Sequence, residues 1–254
     1  MNKNMTADAD FMRDLNPKDS DTRVRFHEEL LRAPIPPEEL LNNLPLFQDR
    51  RLIARILFIN EMYQKIIELH GNIFEFGVRY GPNLALLTSF REIYEPLNPN
   101  RKIVGFDTFE GFPSVDRERD LGRFKAGDFG VPENYEVYLE KILALHESMS
   151  PLAGQRRFEL VKGDATETIH QYLKAHPETL IAFAYFDIDL YQPTKVCLEA
   201  IIPYLNKGAV IGFDELNMPE WPGETRAMRE VLGSGRFRII HSPFRGVAAY
   251  LVYE

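Results

Sequence analysis

Apolar residues follow two different periods along this chain, and segments of the two kinds take turns. Between residues 49 and 70 they recur every three or four positions, which predicts an amphipathic helix that ends at Gly71. From residue 73 to residue 232, short apolar runs typical of buried strands alternate with further helical patterns. Strands are predicted at 73–78, 102–107, 157–162, 181–187 and 209–213, and helices at 82–94, 132–149, 166–175, 194–205 and 224–232.

This alternation predicts the fold class. Strands that alternate with helices imply parallel strands in one sheet, joined by right-handed crossovers. The chain ends differently, with apolar runs at 237–241 and 247–252 around a Ser-Pro-Phe-Arg-Gly turn, which is typical of a hairpin. We therefore predict a Rossmann-like α/β fold, with a doubly wound, mostly parallel seven-stranded sheet and an antiparallel C-terminal hairpin. The pattern alone leaves several doubly wound folds open.

The first 70 residues differ in character from the rest. Residues 1–25 are rich in Asp, Asn, Lys and Arg, so we expect an arm that is disordered, or that becomes ordered only against another part, as a lid would. The sequence therefore predicts a helical N-terminal extension, residues 1–70, and an α/β domain, residues 71–254.

Composition and charge exclude several classes of partner. The 254 residues carry a formal net charge of −8 without a Lys/Arg run, whereas nucleic-acid-binding proteins usually present a clustered basic face. No segment approaches the roughly 20 apolar residues that a membrane span needs. The single cysteine, Cys197, lies in an apolar helical pattern, which favours a buried inert thiol and excludes a disulfide within the chain. We expect a soluble, cytoplasmic protein with no nucleic-acid or membrane partner.

Four carboxylates follow two neighbouring predicted strands. Asp187 and Asp189 come at the end of the fourth strand, and Asp214 and Glu215 directly follow the fifth. Open α/β sheets bind ligands beyond the carboxyl ends of their strands, and hard divalent cations such as Mg²⁺ prefer oxygen ligands. Helix capping or an ion pair would explain any one acid alone, but two clusters indicate a site. The Asp-x-Asp spacing places both side chains near one loop, so Asp187 would bind metal while Asp189 faces a substrate.

The turn after the first predicted strand has the sequence Glu-Phe-Gly-Val-Arg-Tyr-Gly, residues 75–81. It lacks the Gly-x-Gly-x-x-Gly spacing of dinucleotide-binding folds. Gly77 would let a ligand approach the backbone closely. The alternative is a tight strand-to-helix turn that contacts no ligand.

Two further strand ends carry acids. Asp107 ends the second predicted strand, where an acid accepts hydrogen bonds from ribose hydroxyls in other nucleotide-binding α/β folds. Thr108 and Phe109 open the following turn, either as cofactor contacts or as parts of a packed loop. Asp164, followed by Ala165, closes the third strand, where it either accepts from an adenine amino group or caps the next helix.

Three segments are similar to motifs of one enzyme family. Phe-Asp-Ile-Asp-Leu-Tyr-Gln-Pro-Thr (186–194), Phe-Asp-Glu-Leu (213–216) and Phe-Asp-Thr-Phe-Glu-Gly-Phe-Pro (106–113) resemble segments of the macrocin O-methyltransferase family of sugar O-methyltransferases. The resemblance covers about residues 72–233. It implies a class I methyltransferase fold, with S-adenosylmethionine and Mg²⁺ as cofactors, so that residues 71–254 would form the S-adenosylmethionine-binding methyltransferase domain.

The resemblance also implies roles for individual residues. Asp187, the first acid of the Asp-x-Asp motif, would bind the metal, and Asp189, the second, would be the catalytic base. Asp214 and Glu215 would complete the metal site, although the family commonly has Asp-Asp where this chain has Asp-Glu. The cofactor contacts predicted from the resemblance and from the strand ends are Glu75, Gly77, Tyr80, Asp107, Thr108, Phe109, Asp164, Ala165 and Asp187.

The leading prediction is an S-adenosylmethionine- and Mg²⁺-dependent O-methyltransferase that acts on a vicinal diol of a sugar in a natural product or glycan. Family members often assemble through N-terminal elements, so we also predict a homo-oligomer. The alternatives are a catechol-type acceptor, a nucleotide-dependent oxidoreductase, and a cofactor-binding protein without catalysis. Lys195 is a second candidate base, and Trp221, His27 and His241 are candidate acceptor contacts.

Overall fold

The structure is a computed structural model that describes residues 17–120, 124–233 and 235–254. Most of the predicted disordered arm, residues 1–16, therefore lies outside the described residues. The chain divides into two compact units, residues 1–56 and 57–254. The functional division into an N-terminal extension and a cofactor-binding domain near residue 70 stays a prediction.

The first unit is helical where it is described. Its elements are helix α1 (Pro17–Leu31), helix α2 (Pro37–Asn43), a 3₁₀ turn (Leu44–Phe47) and the beginning of helix α3 (Arg50–Gln64). Residues 17–25 belong to α1, so disorder is wrong for this part, and the alternative, order that depends on another part, stays a prediction. The scarcity of apolar residues concealed a helix whose exposed face suits polar and charged side chains.

The second unit is built on a mixed sheet, which in the described part of the chain has seven strands in the order β3-β2-β1-β4-β5-β7-β6. The strands are β1 (Asn72–Phe76), β2 (Ile103–Asp107), β3 (Phe158–Lys162), β4 (Ile181–Phe186), β5 (Leu205–Phe213), β6 (Ile240–His241) and β7 (Ala249–Val252). Strands β1 to β5 pair in parallel, and β7 runs antiparallel to β5 and β6. The predicted fold class, including the terminal hairpin, is confirmed.

The helices of the second unit after α3 are α4 (Pro82–Tyr94), α5 (Tyr135–Ser148), α6 (Ala165–Ala175), α7 (Tyr191–Ile201) and α8 (Pro222–Val231), with a 3₁₀ turn at Ile202–Tyr204. Helix α4 has the predicted bounds. Helix α5 begins later than predicted, because Asn134 before it is left-handed, with φ 60°. Helix α7 begins earlier, because Pro193 falls in its first turn, where the missing N–H needs no partner.

A row of stacked phenylalanine rings crosses the sheet just below its carboxyl edge. The rings, each followed in parentheses by the next residue of its strand or turn, are Phe106 (Asp107), Phe76 (Gly77), Phe186 (Asp187) and Phe213 (Asp214). Strand register sets these fully buried rings side by side, with neighbouring centroids 5.0, 4.8 and 5.4 Å apart. Each buried ring stabilises the fold by about 1.5–3 kcal/mol. The row therefore fixes the level at which the acids of the carboxyl edge emerge.

At the amino edge of the same strands, arginine and glutamate side chains form a buried ion-pair network. Its members are Arg91, Arg101, Arg157, Glu92, Glu95 and Glu147. The guanidinium of Arg101 also donates to the carbonyl oxygens of Ile66, Leu69 and Gly71, and so ties the end of the preceding segment to β2. This network holds the edge of the sheet that lies away from the predicted site.

Among the described residues, no helix combines the length and the apolar character that crossing a membrane would take.

Candidate active site

Three carboxylates converge where β4 and β5 end. One oxygen from each of Asp187, Asp214 and Glu215 lies within 4.8 Å of the other two. The convergence follows from strand register, because Phe186 pairs with Phe213 and the two acids that follow emerge side by side. The structure thus brings together the residues that the sequence predicts as metal ligands.

Asp214 is the most heavily bonded member of this group. Its carboxylate is 3% exposed and accepts two hydrogen bonds from Arg245, Nη1 to Oδ1 at 2.5 Å and Nη2 to Oδ2 at 2.8 Å. The hydroxyl of Tyr185 also donates to Oδ1. Burial would lower the pKa of Arg245, but the charge and hydrogen bonds of Asp214, together with the charges of Tyr185 and Asp187, raise it. The pair is therefore a charged, bidentate one.

Arg245 reaches Asp214 from the loop between β6 and β7. Ser242 shapes that loop, because its Oγ accepts hydrogen bonds from the N–H groups of Phe244 and Arg245 at 3.1 and 2.9 Å. The sequence analysis treated this segment only as a hairpin turn and missed Arg245. A single arginine in a turn gives no signal from which this partner could have been found.

Glu215 carries a buried oxygen atom that lacks a partner. Among the described residues, none donates a hydrogen bond to its Oε2. Burial raises the pKa of Glu215 well above its ordinary value, and the negative charges of Asp214, Asp189, Asp187 and Glu224 raise it further. A buried carboxylate among other carboxylates is unfavourable unless a cation compensates it. The donor set, with hard oxygen atoms and excess negative charge, therefore fits a divalent cation such as Mg²⁺.

Asp189 lies in a tight turn between β4 and α7. Its backbone is left-handed, with φ 68°, which is uncommon for a residue with a side chain. Beside this turn lies Glu224, a fully buried residue of the first turn of α8 that the sequence analysis placed only in a predicted helix. Glu224 is a further acid of the site, and its position close after the Asp-Glu pair was the one available hint.

The predicted contacts at the β1–α4 turn lie together at the carboxyl edge. Glu75 is buried and accepts a hydrogen bond from Nδ2 of Asn83 at 2.8 Å. Gly77 has φ +89°, and a Cβ there would lie 2.0 Å from the carbonyl oxygen of Asp187. The glycine is thus required by the approach of β4 itself. Tyr80 is 47% exposed, and its ring meets that of Tyr135 edge-on at 5.2 Å.

Asp107 is held by backbone donors on two sides. Its Oδ2 accepts from the N–H groups of Val78 and Arg79, both at 2.7 Å, and its Oδ1 accepts from the N–H of Phe109 at 2.6 Å. This carboxylate therefore joins the β1–α4 turn to the turn after β2. Oδ2 already accepts two hydrogen bonds and Oδ1 accepts one, so the predicted ribose contact would use the second lone pair of Oδ1, and it stays a prediction.

The turn after β2 and the beginning of α6 hold the remaining predicted contacts. Thr108 donates to the carbonyl oxygen of Gly111 at 2.6 Å, and Phe109 is buried in a left-handed conformation, with φ 56°. Asp164 is the N-cap of α6, accepting from the N–H and hydroxyl of Thr166 at 2.9 and 2.7 Å, with Ala165 as the first helical residue. The capping alternative is therefore observed, and a contact with adenine stays a prediction.

The other candidate residues are placed less favourably for chemistry. Trp221 is 4% exposed and stacks on Phe124, at 4.4 Å between centroids, so it packs within the loops. Lys195 forms ion pairs with Glu230 and Glu199. His27 is an exposed residue of α1 in the first unit, and His241 is an exposed residue of β6. Their predicted contacts with an acceptor stay predictions.

Comparison with solved structures gives extensive similarity to one enzyme. A structure described as CalS11, a calicheamicin methyltransferase, shares 45% sequence identity with this chain; the match covers 94% of this chain and 93% of that one, with a TM-score of 0.89. A second structure, described as the apo form of CalS11, a TDP-rhamnose 3'-O-methyltransferase of calicheamicin biosynthesis, shares 43% identity, covers 94% and 95%, and has a TM-score of 0.83.

A more distant likeness adds support for the fold. The O-methyltransferase NovP shares 18% identity, the match covers 79% of this chain and 80% of that one, and the TM-score is 0.59. At that identity the likeness shows the fold alone. Neither the protein-family models nor the curated protein sequences gave a match.

Proposed function

The chain belongs to the family of sugar O-methyltransferases, and we propose that it transfers a methyl group from S-adenosylmethionine to a sugar hydroxyl in a Mg²⁺-dependent reaction. Family membership sets aside the oxidoreductase alternative. The observation that carries the proposal is the convergence of Asp187, Asp214 and Glu215 within 4.8 Å at the carboxyl edge of the sheet. The homo-oligomer predicted from the sequence stays a prediction.

The proposed acceptor is a deoxysugar linked to a nucleoside diphosphate. CalS11 is described as acting on TDP-rhamnose, and its similarity to this chain covers 94% of the present sequence. Two adjacent hydroxyl groups of such a sugar could both face the three carboxylates of Asp187, Asp214 and Glu215. The segments that follow β2 and β5 in the sequence, residues 114–131 and 216–223, would adapt the site to one sugar.

Mg²⁺ would be held by Asp187, Asp214 and Glu215. Glu215 would present the buried Oε2 that accepts no hydrogen bond from the described residues. Asp214 would share its carboxylate with Arg245 through Oδ2, to which Arg245 donates one hydrogen bond, whereas Oδ1 accepts from both Arg245 and Tyr185. When bound, Mg²⁺ would neutralise charge and lower the pKa of an acceptor hydroxyl.

Asp189 would remove the proton of that hydroxyl. A carboxylate is an efficient base only toward a hydroxyl group that is already acidified. The turn that carries Asp189 begins directly after the metal-binding Asp187, so base and metal ligand are held by one short segment. Methyl transfer is a direct displacement, and alignment of donor and acceptor by a rigid site supplies much of the rate acceleration.

S-adenosylmethionine, which would supply an electrophilic methyl group, would lie over the carboxyl ends of β1, β2 and β3. Ligands of open α/β sheets bind at this edge. Glu75, Gly77 and Tyr80 would face the amino-acid end, Asp107 the ribose, and the beginning of α6 the adenine. Three backbone N–H groups orient Asp107 in advance, which lowers the entropic cost of binding.

The test is a methyl-transfer assay with purified protein and isotopically labelled S-adenosylmethionine. The acceptors are TDP-rhamnose, free rhamnose and a catechol, each measured after EDTA treatment and again after addition of Mg²⁺. We expect label in TDP-rhamnose, and its loss in EDTA. Transfer to the catechol alone would replace the acceptor class, and transfer that is unchanged in EDTA would exclude the metal role.

A further inference from the structure

A buried glutamate, Glu224, connects the two acidic segments of the site. It lies in the first turn of α8, is 0% exposed, and follows Pro222 and Gly223. None of the proposed roles in metal binding, proton removal or cofactor binding uses it. A fully buried acid beside other acids breaks the usual rule for buried charge, and such violations concentrate where function requires them.

The carboxylate of Glu224 accepts hydrogen bonds from the backbone of both segments. Oε1 accepts from the N–H groups of Ile188 and Asp189, at 3.2 and 3.3 Å, and Oε2 accepts from the N–H of Glu215 at 3.4 Å. These distances are at the long end of the range, so each bond is weak in energy. Their joint effect is geometric, since one side chain sets the distance between the turn of Asp189 and the strand end of Glu215.

The turn that Glu224 contacts needs such support. Asp189 is left-handed, at φ 68°, a conformation that is unfavourable for a residue with a side chain. Strained residues of this kind persist only where their surroundings enforce them. The hydrogen bond from the N–H of Asp189 to Glu224 holds that backbone in place at the residue proposed as the base.

Gly223 packs against the same turn from the same helix. A Cβ at this position would lie 2.3 Å from the carbonyl oxygen of Asp189 and 2.7 Å from the backbone nitrogen of Tyr191. Asp120 secures the far end of the turn, since its Oδ1 accepts from the N–H of Tyr191 at 2.8 Å. The beginning of α8 is therefore in direct backbone contact with the residue that carries the proposed base.

We infer that Glu224 is a positioning residue: through the N–H groups of Ile188, Asp189 and Glu215 it holds the proposed base and the proposed metal ligand in their relative places. This inference rests on the proposed function. Its direct consequence is that replacement of Glu224 lowers kcat while the binding of S-adenosylmethionine and the folded state persist.

The test compares four variants with the wild type. Glu224→Gln keeps one carbonyl oxygen for Ile188 and Asp189 but turns an NH₂ group toward the N–H of Glu215, and Glu224→Ala removes both acceptors. Gly223→Ala displaces the turn without any change of charge. Glu230→Gln, on the same helix but in an exposed ion pair with Lys195, is the matched control.

We expect kcat to fall about 10-fold in Glu224→Gln and about 100-fold in both Glu224→Ala and Gly223→Ala, because displacements near 1 Å at a reacting group cost about that much. The KM for S-adenosylmethionine and the Kd for S-adenosylhomocysteine should change less than about two-fold, and Glu230→Gln should match the wild type. Hydrogen exchange of a peptide that contains Ile188 and Asp189 should accelerate in the first three variants, with or without substrates.

Asp189→Asn, assayed in parallel, separates failure of this inference from failure of the proposed function. If Asp189→Asn retains full activity, the proposed base is wrong. If Asp189→Asn is inactive but Glu224→Ala keeps wild-type kcat and wild-type exchange at Ile188 and Asp189, the positioning role is overturned. Equal losses of kcat, ligand binding and thermal stability in Glu224→Gln would also overturn it, because they would indicate a residue that supports only folding.

Discussion

Two groups of buried charged side chains lie at opposite edges of the same sheet, and their charges are arranged on opposite principles. Among the described residues, the amino-edge group pairs three arginines with three glutamates, Arg91, Arg101 and Arg157 with Glu92, Glu95 and Glu147. The carboxyl-edge group brings five carboxylates together, those of Asp187, Asp189, Asp214, Glu215 and Glu224, and Arg245 pairs with Asp214. In the first group each glutamate faces an arginine, whereas in the second Glu215 and Glu224 are surrounded by other carboxylates.

The two groups shift the pKa of their acids in opposite directions. Burial opposes ionisation of Glu95, but hydrogen bonds from Arg101 and Tyr63 outweigh burial, and its pKa is lowered. Burial raises the pKa of Glu224 well above its ordinary value, and the charges of Asp189, Asp187 and Asp214 raise it further. The comparison teaches that acids buried against arginines serve the fold without a ligand, whereas acids buried against other acids mark a place where a cation would be favourable.

Removal of the proposed base should have the largest effect. Asp189→Asn takes away the proton acceptor but keeps the size of the side chain, so we expect kcat to fall about 1000-fold, within the range for general-base catalysis. The free energy of unfolding should stay near that of the wild type, because the carboxyl-edge group loses a repulsive charge. Single-turnover methyl transfer and thermal unfolding measure the two effects. A large loss of stability would show that this acid serves the fold, contrary to the comparison.

Breaking an ion pair of the amino-edge group should lower stability and leave kcat unchanged. Glu95→Gln leaves Arg101 buried with carbonyl partners but without its counter-charge, so we expect the free energy of unfolding to fall by about 3 kcal/mol. At urea concentrations where the variant is still folded, its kcat should stay within two-fold of the wild type. Urea denaturation measures the loss, and Glu140→Gln, which breaks an exposed pair with Arg156, is the control. A loss of activity in folded Glu95→Gln would show that the amino-edge group also affects catalysis.

The fold could be predicted in detail because its signals are local. The bounds of α4 were predicted correctly from Pro82 in the first helical turn and from the apolar period that follows. The convergence of Asp187 with Asp214 followed from the rule that parallel strands end at one edge. Helix α7 was placed too late because Pro193 was treated as a residue before the helix, although a first-turn proline is compatible with it.

The missing parts of the site depend on contacts between segments that are distant in the chain. Arg245 reaches Asp214 across 31 residues, and Glu224 reaches Ile188 across 36. Arg245 has no spacing or composition that marks it in the sequence, and Glu224 is marked only by its position close after Asp214 and Glu215. Asp107 shows that sequence position also fails to reveal the contacts of a residue that it does single out. The position of Asp107 predicted a ribose contact, but only the structure shows that backbone N–H groups already hold its carboxylate.

The pH dependence of stability should separate the two edges. Glu215 and Glu224 have raised pKa values in the folded protein, so their contribution to stability is complete below the ordinary glutamate pKa and is lost as the pH rises through the raised values. Glu95 has a lowered pKa, so its contribution is present above the ordinary value and is lost as the pH falls through the lowered one. Metal-free protein should therefore lose stability through the carboxyl edge as the pH rises above the ordinary glutamate pKa.

Glu215→Gln tests that assignment, because it removes one of the repelling charges. We expect its Tm without metal to exceed that of the wild type by about 3 °C at pH 8, with the difference shrinking toward pH 5. Added Mg²⁺ should reverse the order, since the wild type gains stability by binding the ion and the variant binds it more weakly. Differential scanning calorimetry at both pH values, with EDTA or with Mg²⁺, decides it. A lower Tm of the variant at pH 8 in EDTA would mean that Glu215 is already compensated without an ion.

Arg245 is a cation that opposes the acids of the carboxyl-edge group. Its removal should increase the difference between this group and the amino-edge group. Arg245→Met withdraws both hydrogen bonds from the carboxylate of Asp214. Because Arg245 and Mg²⁺ compete for this carboxylate, we expect Mg²⁺ to bind about 10-fold more tightly to the variant. Calorimetric titration of metal-free protein measures the Kd, and Arg238→Met, an exposed position just before β6, is the control. Weaker binding of Mg²⁺ would show instead that Arg245 orients Asp214 for the ion.

An exposed ion pair should have the smallest effect, and it completes the comparison. Lys195 pairs with Glu230 where water screens both charges, so neither the balance of a buried group nor the proposed proton transfer depends on it. We expect Lys195→Met to keep kcat within two-fold of the wild type and to shift the Tm by less than about 2 °C. The same thermal and methyl-transfer measurements apply. A loss of kcat comparable with that of Asp189→Asn would move the base from the carboxylate turn to this lysine, and the unbalanced acids would then have to be explained by metal binding alone.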